Sequence, residues 1–297
     1  MRPWVLVSLL TDAQEYQRAQ AEDARTAGAR AGLEVKVVYA NLDPTVQIRT
    51  IAEAVGGPES TRPAAVVVET TGSAGFERVA RQVVEAKVGW VLVSDAPMFM
   101  DALRREYTDR LISSTCISNL EVGRLEARIM ITLLGGAGRV LMVEGPSAAG
   151  ASLHRRRGAD EVLKGTGVTI YKTLSSDWSA PHAEKVATSW LKLMGKDAAK
   201  PDLIASLNDE MAVGAQRAFR TNRPQWGEIP AIGCDGLPQG GQRLVKEKVL
   251  AATIVTPPTT GPGIEVVARF LRGDKVEPVT FVPVRSFPSV EDLRPRR

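Results

Sequence analysis

The chain has 297 residues, 44% of them hydrophobic, and its 38 Lys and Arg against 34 Asp and Glu leave a net charge of +4. That length exceeds the usual ~100–200 residues of one domain, and the composition excludes a disordered, coiled-coil or collagenous chain. Two cysteines, Cys116 and Cys234, and two histidines, His154 and His182, cannot assemble a disulfide framework or a Cys/His zinc site. No metal and no cofactor is expected.

Along the chain, no stretch approaches the ~18–20 apolar residues of a membrane span. The opening run Trp4 to Leu10 follows a single Arg2 and passes into polar Thr11 to Tyr16 without a small-residue cleavage site, so it reads as a strand. The chain is then cytoplasmic, or else a mature periplasmic or extracellular form whose export signal has been removed. Short β-branched runs alternate with helical stretches, the pattern of βαβ units around a parallel sheet. The runs begin near Trp4, Glu34, Ala64, Trp90 and Leu111, and again near Arg139, Val168, Asp202, Pro230 and Ala251; corresponding starts are 135, 134, 138, 140 and 140 residues apart. This spacing predicts two doubly wound lobes of about five strands each.

Helices are predicted over 15–31, with Gly32 as the stop, over 75–87, and over 121–134, ended by Gly135 and Gly136. The proline-rich Thr256 to Gly263 suits a crossing between lobes, and extended pieces follow at 279–284 and 286–290. The basic clusters 155–157 and 294–297 lack interleaved aromatics, which argues against nucleic acid as a partner.

In open α/β sheets ligands gather outside the carboxyl ends of the strands. The loops there carry Asp12, Gln14, Asp95, Arg155, Asn208, Asp209 and Asp235, planar groups able to bond two adjacent hydroxyls at once. That is polyol or sugar chemistry. Enzyme signatures are weak: Gly145 to Gly150 has phosphate-loop glycine spacing, but Ala151-Ser152 stands where Lys-Ser/Thr is needed, and no G-x-G-x-x-G follows the first strand. No nucleophile is marked, so no catalytic residue is assigned and the chain reads as a binding protein rather than an enzyme.

The string Leu207-Asn208-Asp209-Glu210-Met211-Ala212-Val213-Gly214-Ala215, with Ile232-Gly233-Cys234-Asp235-Gly236 and Leu250 to Ile254, resembles the second lobe of type I periplasmic sugar-binding proteins, the ribose-binding and LacI-repressor core superfamily. The likeness extends over nearly the whole chain. It implies two Rossmann-like lobes joined by a three-segment hinge near Cys116 to Asn119, Thr256 to Pro258 and Val282 to Arg285. The lobes would comprise 1–117 with 257–283 and 118–256 with 284–297. They would close on one small ligand, a monosaccharide or polyol, for delivery by a monomer to an ABC permease. A sensory sugar-binding module without a DNA-binding headpiece, or an enzyme on the same fold, are the rival readings.

Carried over by position, the resemblance implies ligand contacts from Asp12 and Tyr16 in the first loop, with Gln14, Glu15 and Gln17 as rivals there, and from Asp95 after the fourth strand, Arg155, Trp178 as an aromatic cover, Asn208, Asp235, and Thr256. Each also has a plain structural reading. Asn208 and Asp12 can cap helices, Asp235 and Asp95 can make turns, Arg155 can be solvated, and Trp178 and Tyr16 can simply pack. Ala96 stands where these sugar binders carry arginine, Thr256 where many carry glutamine or asparagine, and Gln14-Glu15-Tyr16 replaces paired aromatics. The expected ligand is therefore a sugar or polyol as a class rather than ribose, galactose or glucose.

Overall fold

The computed structural model describes residues 2–72, 74–94, 96–147, 149–195 and 199–295. The chain forms two compact units, Met1–Ile117 with Pro258–Val282 and Ser118–Pro257 with Pro283–Arg297, so it passes from one to the other three times.

In unit 1 the strands are β1 (Trp4–Leu9), β2 (Glu34–Tyr39), β3 (Ala65–Val68), β4 (Gly89–Leu92), β5 (Ile112–Cys116) and β11 (Val279–Phe281), in sheet order β11-β5-β4-β3-β1-β2 and all parallel. Alternate residues of the central strands feed two cores, because both faces of a parallel sheet are covered. Val5, Val7, Val67 and Val91 pack with Ala21, Ala24 and Ala27 of α1 (Glu15–Ala31) and with Ile264 and Val267 of α10 (Thr260–Leu271). Leu6, Val66, Val68, Trp90 and Leu92 pack with α2 (Pro44–Gly56), α3 (Phe76–Glu85) and α4 (Phe99–Glu106) through Ile51, Phe76, Val83, Met100 and Leu103.

Unit 2 contains β6 (Ala137–Glu144), β7 (Gly167–Ser175), β8 (Leu203–Ser206), β9 (Ala231–Asp235), β10 (Ala252–Val255) and β12 (Arg285–Phe287), ordered β12-β10-β9-β8-β6-β7. Helices α5 (Asn119–Leu134) and α6 (Gly150–Leu163) form one pair, and α7 (Ala180–Met194) and α8 (Asp209–Asn222) another; α9 (Gly241–Lys246) is short. Missing side chains set how close these pairs come. A Cβ at Gly123 would fall on the Arg155 carbonyl, one at Gly158 on the Leu120 carbonyl, and one at Gly214 on the Ala180 carbonyl.

Every anticipated strand begins within two residues of its expected start, yet each sheet has six strands among the described residues rather than five. The difference lies in the last extended pieces. Residues 279–281 add to β5 in parallel, and 285–287 pair antiparallel with β10, Ile254 opposite Ser286. Unit 2 is thus parallel with one antiparallel edge.

In unit 1 a polar tie joins distant parts of the chain. Gln20 on α1 is 1% exposed; its Oε1 accepts from the backbone N–H of Thr259 at 2.8 Å and of Thr260 at 3.1 Å. Asp23 accepts from the Gly261 N–H at 2.6 Å, and burial pushes its carboxyl above the ordinary range despite that bond. Together they satisfy the first turn of α10, whose N–H groups have no partner within the helix. Gln20→Ala strands two buried N–H donors and is expected to cost about 2–3 kcal/mol in urea unfolding. A change below about 0.5 kcal/mol, ordinary for a surface substitution, would show that these donors are satisfied some other way.

Candidate ligand-binding site

At the carboxyl ends of the unit 2 strands, three consecutive arginines on α6 take different roles. Arg157 pairs with Glu161 at 3.2 Å, and Arg156 reaches Glu144 at 3.0 Å and Asp160 at 2.9 Å. Arg155, only 7% exposed, donates to Asn119 Oδ1 at 2.9 Å, to the Leu207 carbonyl just past β8 at 2.6 Å, and to Cys234 Sγ on β9 at 3.4 Å. The solvated reading of Arg155 is thereby corrected: the close α5–α6 approach carries its guanidinium inward.

Asn208 caps α8, its Oδ1 accepting from the Met211 N–H at 2.8 Å, while its Nδ2 donates to the Trp178 carbonyl at 2.8 Å. The capping role holds, and the same amide also fixes the Trp178 loop. Trp178 packs on Gly145, where any side chain would strike the indole. Asp235 ends β9, and its carbonyl accepts from the Thr256 N–H at 3.0 Å. Thr256 is 1% exposed, and its hydroxyl has no partner. Two of these residues lie in the left-handed backbone region that non-glycine residues avoid: φ is +73° at Trp178 and +96° at Asp235.

The residue that organises this edge was read only as one more polar loop group. Asp209, 6% exposed, accepts from the Gly236 N–H at 2.9 Å and from the Thr253 hydroxyl at 2.7 Å. Side chains at Gly233 or Gly241 would occupy the space of its carboxyl. Asp-Gly and Gly-Gly at 235–236 and 240–241 are the sequence signal of that close approach.

At the unit 1 strand ends, Asp12 is exposed and its carbonyl accepts from Arg18 at 2.7 Å. The N-cap position of α1 belongs to Gln14, so Asp12 does not cap that helix. Tyr16 is half-buried in the first turn of α1. Asp95 lies outside the described residues. A network of amides organises this end, joining Gln17, a rival contact on sequence grounds, to Gln47, which the sequence does not single out. Gln17 accepts from the Leu10 N–H at 3.1 Å and donates to Glu69 at 3.0 Å. Gln47 donates to Ser8 Oγ at 3.1 Å and to the Glu69 carbonyl at 2.8 Å, and accepts from the Thr71 N–H at 2.9 Å. Both glutamines are buried at helical spacing with Ala21, Ala24 and Ile51, the signal that could have marked them.

Glu126 on α5 is 1% exposed, and neither of its carboxyl oxygens has a hydrogen-bond partner. Burial pushes its pKa from an ordinary 4.5 to about 8. A carboxyl that holds its proton more tightly folded than unfolded contributes stability in full below the unfolded value and loses it as pH rises through the folded one. The Glu126 contribution to unfolding free energy should therefore fall from about pH 5 to about pH 8 and level off above that. Glu126→Gln should flatten that slope, and parallel slopes in chemical denaturation would refute the shift.

The strain at Asp235 is separable from its side chain. Asp235→Gly and Asp235→Ala remove the same carboxylate, but only glycine relaxes a positive φ, so the glycine variant should be the more stable by about 1 kcal/mol. Equal stabilities would show that this backbone stores no strain.

Residues 5–274 match the periplasmic binding protein domain family. The xylitol-binding protein of Mycolicibacterium smegmatis is 25% identical over 170 residues, 56% of this chain and 47% of that protein. The ribose import binding protein of Salmonella typhimurium is 27% identical over 171 residues, 56% of this chain and 55% of that protein. The matched stretch is about half the length of these curated relatives. An ABC transporter periplasmic solute-binding protein from Actinobacillus succinogenes with bound D-allose shares the fold at a TM-score of 0.83 and 20% identity, over 96% of this chain and 97% of that one. One from Bacillus halodurans with bound myo-inositol does so at 0.82 and 17%, over 98% and 96%. The chain belongs to the periplasmic binding protein family.

Proposed function

We propose that this protein is a solute-binding protein of an ABC transporter, acting outside the cytoplasm as a monomer. It takes up one monosaccharide or polyol through its strand-end loops and delivers it to a permease. The observation that carries this reading is the unit 2 strand edge: buried Arg155, Asn208 holding the Trp178 loop, Asp235 and Trp178 on strained backbone, and the buried Thr256 hydroxyl lacking a partner. Vicinal hydroxyls satisfy such planar groups in pairs, and a sugar's C–H face packs on Trp178. The relatives named for xylitol and ribose support the class. Asp12, Tyr16 and Asp95 are the contacts proposed from unit 1.

A second reading of the ligand has one observation behind it. The segments following the unit 1 strands (10–14, 40–43, 69–75 and 93–98) contain Asp12, Asp43, Glu69 and Asp95 but no Lys or Arg, although the chain as a whole is basic. Asp43 is spent capping α2. Glu69 accepts from Gln17 at 3.0 Å and lies seven residues ahead of α3, so it is not a helix cap. This favours an amine-bearing sugar or polyol.

A thermal-shift screen of D-ribose, D-allose, xylitol, myo-inositol, D-glucosamine and free amino acids tests both. A hit at about 100 times its Kd adds about 2.7 kcal/mol of stability and raises the melting point by several degrees. Asp235→Asn, isosteric and equally strained, should weaken calorimetric affinity for the hit at least tenfold, because it replaces a charged acceptor by an amide. A shift from amino acids alone would overturn the sugar reading; glucosamine with no response from neutral sugars would select the second.

A further inference from the structure

Unit 2 has a pocket at the opposite, amino-terminal end of its strands. It measures about 150 Å³ and is bounded by Ile204 of β8, Pro230 just ahead of β9 and Val249 ahead of β10. The five residues of β9 separate it from Asp235, roughly 16 Å at about 3.3 Å per residue, so it is a different place from the strand-end site. Gln216 of α8 lines the pocket and is oriented by two bonds: its Nε2 donates to the Ile229 carbonyl at 3.3 Å and to the Val249 carbonyl at 3.0 Å. The Oε1 at the other end of that amide is shielded from solvent and has no hydrogen-bond partner, an arrangement that costs stability until a donor is supplied. Three charged side chains of the same lining, Arg220, Glu228 and Lys248, make no ion pair among the described residues, whereas Glu247 beside them is engaged by Arg243 at 3.0 Å. An exposed charge is ordinarily left to water. Lys248 departs from that pattern, because one residue past the C-cap of α9 it stands at φ +63°, the left-handed position that glycine usually takes at a helix end. The chain thus tolerates strained backbone where it sets a cation in the pocket lining.

We propose that this pocket is a second ligand site, separate from the sugar or polyol site, and that its ligand is a small α-amino acid. The lining offers two cations, one anion and one shielded acceptor, and a zwitterion matches all four: its carboxylate pairs with Arg220 and Lys248, and its ammonium gives one N–H to Glu228 and another to Gln216 Oε1. A monoanion leaves Glu228 opposed, and a neutral sugar leaves all three charges unused. Size narrows the class further. A cavity of about 150 Å³ takes benzene, roughly six non-hydrogen atoms, which is the count in alanine. Ile204, Phe219 and Val249 give the alanine methyl group an apolar wall.

Calorimetry with L-alanine on the full-length protein tests this, with acetate and ethylammonium as the two halves of the zwitterion. Alanine should bind, and each half should bind about tenfold more weakly or worse, the loss expected with a charge-assisted hydrogen bond. Arg220→Gln and Glu228→Gln alter exposed side chains and keep the fold. Each should lower alanine affinity about tenfold and leave any sugar response unchanged. No alanine binding at millimolar concentration, or acetate binding as well as alanine does, overturns the proposal. So does an alanine affinity that is unmoved in both variants and falls in Asp235→Asn, which assigns the amino acid to the strand ends and counts against the sugar reading instead. Alanine binding that is lost in Glu228→Gln and retained in Asp235→Asn supports the pocket, whatever the strand-end site takes up.

Discussion

The Asp209 carboxyl is the constraint on which the unit 2 strand edge depends. It stands at the first position of α8 and bonds the backbone beyond β9 and the hydroxyl of β10, so one side chain holds three elements in register. The helix N-terminus favours an acidic group there, and the absence of side chains at Gly233 and Gly241 admits it. Asn208 precedes it by one residue, and Asp235 immediately precedes the glycine it binds. Both inherit their placement from this contact.

Unit 1 has the same strand order but uses a different chemistry to pin it. Gln17, Gln20 and Gln47 each offer a donor and an acceptor, so one neutral amide can join backbone groups of two elements without burying a charge. Gln20 joins α1 to a segment about 240 residues away, which is what allows the chain to leave unit 1 at residue 117 and return at 258 as the same unit. Glutamine suits a contact that must satisfy N–H donors from α10 while lying against aliphatic side chains of α1. In unit 2 the corresponding burial of ionisable groups is not fully compensated, and Glu126 is the result.

The fold was legible because parallel strands buried on both faces are continuous β-branched runs, and because their spacing repeats between halves. The edge strands β11 and β12 were not legible as sheet members: three residues each, they take their identity from the neighbour they pair with, not from their own pattern. At the site, Arg155, Asn208 and Asp235 could be named from residue type and position. Their actual bonds could not, since those depend on a tryptophan carbonyl and a cysteine sulfur brought near by the fold. The buried Gln20 and Gln47 are not legible because a polar residue on an amphipathic helix is ordinarily assigned to the solvent face. Nor does any residue type announce positive φ at Trp178 or Asp235, where tertiary contacts override local preference.

Several groups at this edge serve the fold and the ligand reading at once, which governs how substitutions there must be interpreted. Truncating Asn208 removes a helix cap and releases the Trp178 carbonyl before any ligand is considered. Truncating Arg155 leaves the Leu207 carbonyl without its donor. Such variants measure folding and binding together; an isosteric change at Asp235 leaves its backbone bond to Thr256 in place. The same separation explains why strain can persist at Asp235. Its cost falls on the backbone, which the Asp209 bond to the Gly236 N–H and the Thr256 N–H hold in place.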